Sequence, residues 1–100
     1  MRYSSAVALK EPLGNDAAKV EALKRVKSGL VILTPHFSRA ALADGVLPAI
    51  ARSAIASGFV QSSEFVDGSW RYRFLCGRFV VVVAFRGESE LRFVTFFKEV

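Results

Sequence analysis

The chain holds a single histidine, and Thr34-Pro35 places it in the first turn of a helix. Imidazole takes up and releases a proton near neutral pH, so His36 is the candidate general acid or base. Arg39 follows three residues later, on the same helical face. Together they have the chemistry to hold a phosphodiester: the guanidinium neutralises the non-bridging oxygens while the imidazole moves a proton. The competing reading makes His36 a partly buried turn residue and Arg39 a solvated charge.

A second cationic group lies at Trp70-Arg71-Tyr72-Arg73. In an extended chain Arg71 and Arg73 share one face and the two aromatic rings the other. Arginine suits phosphate and an edge aromatic suits base stacking, so Arg71, Arg73 and Tyr72 are candidate substrate-binding residues. Thr95 and Lys98, on a neighbouring terminal strand, are candidates beside them. The plainer alternative puts Trp70 and Tyr72 in the core and leaves the arginines as ordinary solvent-facing positions. Cys76 with His36 would make a nucleophile pair, but Cys76 is better explained as a hairpin-turn residue. One His and one Cys do not furnish a zinc site, and the seven glycines form no phosphate loop. No cofactor is expected.

The elements that must position these residues are legible. Residues 1–14 read as irregular, and residues 15–100 as one α+β domain. Asn15 is the expected N-cap of a helix to about Ser28, with Val20, Leu23 and Val26 as its apolar stripe and Gly29 as its stop. Leu30 to Leu33 is a short buried strand. A helix from Pro35 to near Asp44-Gly45 and another from Leu47-Pro48 to Gly58 form an αα unit.

From Phe59 the apolar period changes from 3.6 to 2. Phe59–Val66, Ser69–Leu75, Arg78–Arg86 and Glu90–Lys98 read as a four-stranded antiparallel meander. Asp67-Gly68 and Cys76-Gly77 are the expected type I′ turns, and Gly87-Glu88-Ser89 is the third linker. The third of these strands is apolar on both faces and belongs in the centre. In the last, strict alternation sets Leu91, Phe93, Thr95 and Phe97 against Arg92, Val94, Phe96 and Lys98. Helices are expected over one sheet face, with the other partly open.

Apolar residues make up 52% of the 100, nine of them Phe, which is enough to build a core without staples. No stretch approaches the ~20 apolar residues of a membrane span, and no secretory leader is read. Fourteen Lys and Arg against nine acids give a formal charge of +5, which draws a small domain toward nucleic acid, an anionic membrane or an acidic partner, the plainer alternative being that the charge serves solubility.

The run Ile32-Leu33-Thr34-Pro35-His36-Phe37-Ser38-Arg39, then Asp44-Gly45-Val46, a second helix ending in Gly58, and Arg71-Tyr72-Arg73-Phe74 before a Val-rich strand resembles a family of small bacterial domains of unknown function related to RelE/ParE-type toxins. The resemblance spans about residues 30–98. It departs at Ala40, where the family's usual arginine stands, and at Asp44, where an arginine precedes the turn glycine. It implies a RelE/barnase-like fold and a metal-independent ribonuclease of the barnase, EndoU and colicin type, acting in the cytoplasm. On that reading His36 is the acid or base, Arg39, Arg71 and Arg73 hold the scissile phosphate, and Thr95 or Tyr72 assists, with Lys98 at the margin. The implied partners are RNA, tRNA among them, and a cognate antitoxin or immunity protein, with the chain a monomer or weak homodimer. The alternative is a non-catalytic protein-binding module on the same scaffold, an inhibitor or a phage or plasmid regulator.

Overall fold

Alternation from Phe59 onward becomes four consecutive antiparallel strands: β2 (Phe59–Val66), β3 (Ser69–Cys76), β4 (Phe79–Arg86) and β5 (Glu90–Lys98). They are preceded by α1 (Asn15–Ser28), β1 (Leu30–Leu33), α2 (Pro35–Ala43) and α3 (Pro48–Ser57). The structure, a computed structural model, describes residues 9–98, without the side chains of Pro48 and Ala51. Residues 1–8 of the expected irregular segment, and the last two of the domain, therefore lie outside the described residues.

Among the described residues the sheet has five strands rather than the four of the meander, in the order β1-β5-β4-β3-β2. The short strand β1 joins it by pairing parallel to β5, Leu30 beside Glu90 and Leu33 beside Phe93. Its backbone is held at both ends, Leu30 N–H donating to Ser89 O and Thr34 N–H to Phe93 O. This addition moves β4 to the middle of the sheet. Its residues Val80 to Phe85 are all buried, as a strand apolar on both faces requires.

Two bulges reset the alternation. An extra residue in β5, Val94, separates the pair Val83–Phe93 from the pair Val82–Thr95. Strict alternation along β5 therefore fails at its middle: Phe96 joins Leu91 and Phe93 in the core, while Thr95 and Phe97 turn to the side of Arg92. Gln61 is the corresponding extra residue in β2, between the pairs Val60–Phe74 and Ser62–Arg73.

The hairpin turns separate by the same criterion. Asp67 and Gly68 both have positive φ (49° and 82°), the type I′ pattern. Cys76, however, is still paired with Phe79, so the second turn is Gly77-Arg78, with positive φ at Gly77 alone as in a type II′ turn. Cys76 belongs to the strand.

The helices cover one face. Thr34 caps α2 as expected, its hydroxyl accepting from Phe37 N–H at 3.2 Å and donating to Phe93 O at 2.9 Å. This hydroxyl ties the helix start to the sheet. Phe37 then packs edge-on against Phe93, with ring centroids 5.3 Å apart, and against Phe96. Helix α3 lies against β3, and α1 packs across β2 and toward β1 and β5.

Helix α1 differs from expectation in two ways. Gly14, not Asn15, is its N-cap, and no side chain caps it. Its buried face is Ala18, Ala22 and Arg25, whereas Val20 is 66% exposed. The alanines let the helix axis come close to the sheet, and Leu23 and Val26 pack at the flanks. Arg25 is 2% exposed and reaches across to the β4–β5 turn. Its Nη1 donates to Glu90 O (2.8 Å) and Arg86 O (3.4 Å), Nη2 to Gly87 O (3.0 Å), and Nε to the Glu21 carboxylate (2.6 Å). The guanidinium also lies 5.1 Å from the Phe85 ring centroid.

One continuous core results, made of these helix faces and the inward residues Tyr72, Phe74, Val81, Val83, Phe85, Leu91, Phe93 and Phe96. Among the described residues no helix is long and apolar enough to cross a membrane.

Candidate nucleic-acid interface

Because α1, α2 and α3 all join the core on one side, the opposite face of the sheet carries no helix among the described residues. Alternation delivers its side chains: Ser62 and Glu64 from β2, Arg71, Arg73 and Leu75 from β3, Val80, Val82 and Ala84 from β4, and Arg92, Thr95 and Phe97 from β5. Val80 is nonetheless 0% exposed and Ala84 6%. Long charged side chains on such a face can lay their methylenes over the valines while their charged ends reach outward.

Arg73 shows this directly. Its guanidinium lies 5.1 Å from the centroid of the Phe97 ring, so the side chain crosses the face from β3 over β4 to β5. The Nε atoms of both Arg71 and Arg73 are enclosed and meet no hydrogen-bond acceptor. Among the described residues neither arginine forms a salt bridge, although Glu64 is paired with Arg71 in the ladder. Arg92 differs, because its Nε is bound to the Glu90 carboxylate. The face thus presents two cations without an ion-pair partner among the described residues, beside the buried Val80, Val82 and Ala84. Arg71 and Arg92 also line, with Thr34, Val94 and the acids Glu11 and Asp67, a concavity of about 680 Å³ at the end of the sheet that carries the β2–β3 turn.

Of the seven candidate residues, the structure brings three together: Arg71, Arg73 and Thr95, the last paired with Val82 and half-buried in the row of Arg73. His36 is exposed in the first turn of α2 and does not line the concavity, although Thr34, two residues before it, does. Arg39 is exposed farther along α2. Lys98, displaced by the β5 bulge, sits on the helix side with its Nζ 3.9 Å from Asp44 Oδ1. Tyr72 is in the core, where its hydroxyl donates to Glu11 Oε2 (2.8 Å) and accepts from Leu13 N–H (3.1 Å). Burial pushes its pKa up to about 12; the Leu13 N–H works against that rise and the Glu11 carboxylate adds to it.

Arg92 and Phe97 belong to this face and were not among the candidates. Arg92 had a usable signal, since it alternates with Leu91 and Phe93 on a strand beside the central one. Phe97 had none, because its side depends on the bulge. Among the described residues no group of three or more His, Cys, Asp or Glu converges where a metal ion could sit. No family model, curated protein or solved structure matches the chain.

Proposed function

We propose that the helix-free sheet face binds the phosphate backbone of RNA and that the chain is a ribonuclease-toxin-like domain. The observation that carries the binding half is the pair Arg71 and Arg73, held over Val80 to Ala84 with no carboxylate partner among the described residues. Two residues apart on one strand, they stand about 6.8 Å from each other along the chain, able to serve neighbouring phosphates. A net charge of +5 supplies the long-range attraction. The cleavage half is a finer proposal. His36 lies two residues after Thr34, which lines the concavity together with Arg71 and Arg92. There His36 would take the 2′-hydroxyl proton or protonate the leaving oxygen, with Arg39 beside it.

The test has two arms. Binding of RNA by Arg71→Gln/Arg73→Gln should weaken, and the slope of log affinity against log salt should fall by about 1.4, two contacts at about 0.7 each for a single strand. An unchanged slope refutes the interface. Incubation with total tRNA should give cleavage by the native chain and none by His36→Ala; equal cleavage by both refutes the role of His36.

A second reading, docking on an acidic partner protein, is favoured by the exposed Leu42, Leu47 and Ile50 where α2 meets α3. These helices carry Arg39 and Arg52 and no acid between Pro35 and Ala43 or Pro48 and Ser57. That reading predicts an unchanged affinity for RNA in Leu42→Ser/Ile50→Ser and a lost partner.

A further inference from the structure

The helix-free face is not uniform along its strands. At one end the strand register sets Phe59, Leu75, Val80 and Phe97 side by side across β2, β3, β4 and β5. The next outward row is Ser62, Arg73, Val82 and Thr95, and beyond it come Glu64 beside Arg71 and Ala84 beside Arg92. An apolar row therefore borders a cationic one. Within the apolar row Val80 is sealed and Phe97 lies under Arg73, but Phe59 is 56% exposed.

A phosphate backbone has no use for an exposed phenyl ring; an unpaired base does. Phe59 stands opposite Leu75 and Arg73 two residues farther along β3, so about 4.8 Å across the sheet and about 6.8 Å along the strand separate them, within reach of one nucleotide. Duplex RNA keeps its bases stacked inside and offers backbone and groove, whereas a single strand can turn a base out onto an aromatic face. Building on the RNA reading above, we infer that this face takes single-stranded RNA, with phosphates on Arg73 and Arg71 and an unpaired base stacked on Phe59. Ring stacking tolerates any base, so recognition at Phe59 is independent of sequence.

The experiment compares a short fluorescent single-stranded RNA with its duplex by anisotropy, on the native chain, Phe59→Ala and Phe59→Trp. Phe59 is exposed, and a thermal melt of each variant confirms that it folds. The native chain should bind the single strand at least about tenfold tighter than the duplex. Phe59→Ala should cost the single strand roughly five- to a hundredfold in affinity, leave the duplex unchanged, and be rescued by Phe59→Trp. Equal affinity for both RNAs, or a Phe59→Ala variant that binds the single strand normally, overturns this inference and leaves phosphate binding standing. No binding of either RNA overturns both readings.

Discussion

Arg25→Met is the substitution that most directly tests how the fold is held. Methionine matches the stem of the arginine and removes its charge and its donors. In the native chain the guanidinium serves the carbonyls of Arg86, Gly87 and Glu90 and the carboxylate of Glu21, at 2% exposure. The three carbonyls belong to the turn that joins the central strand to β5. Without Arg25 they lose their side-chain donor, and Glu21 keeps a mostly buried charge whose remaining cation among the described residues is the exposed Lys24, 3.6 Å away. Removing one partner of a buried ion pair costs about 3–5 kcal/mol. A domain of this size holds only about 5–15 kcal/mol in all. The loss should lower Tm by at least about 12 °C, taking the low end of about 4 °C per kcal/mol.

Urea denaturation read by Trp70 fluorescence, together with a thermal melt, measures the effect. The double variant Glu21→Gln/Arg25→Met should be more stable than Arg25→Met, because it no longer buries a lone carboxylate. A loss below about 1 kcal/mol in Arg25→Met, typical of an exposed pair, would refute the reasoning. So would a double variant less stable than Arg25→Met, since that would show the carboxylate needs no partner.

Tyr72 and the glycines give two further expectations. The folded pKa of Tyr72, about 12, lies above its ordinary value of 10.0, so the folded state favours the protonated phenol. Its contribution is fully present below pH 10.0 and is lost as pH rises toward about 12; Tyr72→Phe should flatten the stability profile in that window alone, as read from urea midpoints. At Gly29 an added Cβ falls on the Ser89 carbonyl oxygen and comes within 2.9 Å of Arg25 O, both backbone atoms that do not yield. Gly29→Ala should therefore cost about 1–3 kcal/mol, whereas Gly14→Ala, which meets nothing within 4 Å but replaces a better N-cap residue, should change stability by less than about 0.5 kcal/mol. Equal denaturation midpoints for the two variants would contradict this.

The local chemistry of the sequence determined most of the elements. Thr34-Pro35 starts α2 because a hydroxyl and a ring without N–H satisfy a helix N-terminus wherever they occur. Asp67-Gly68 turns the first hairpin because positive φ at two successive residues is a property of those residue types. An apolar run from Phe79 to Phe85 has to be central, since both of its faces need cover. Arg71 and Arg73 follow for the same reason, because alternation puts them opposite Tyr72 and Phe74.

Tertiary structure decided what depends on residues far apart in the chain. The partner of β1 is β5, sixty positions away from Leu30 to Glu90, and no pattern within either segment reveals it. Nothing local marks Val94 as a bulge, yet that one residue sends Thr95 and Phe97 to the open face and Lys98 to Asp44. Arg25 reads in sequence as one more helix-surface charge. Burial becomes possible only because the β4–β5 turn supplies carbonyl acceptors for its donors, and those acceptors come from residues 86 to 90. Helix propensity and alternation are properties of neighbours, whereas the compensation of a buried charge and the phase of a bulged strand are properties of the assembled sheet.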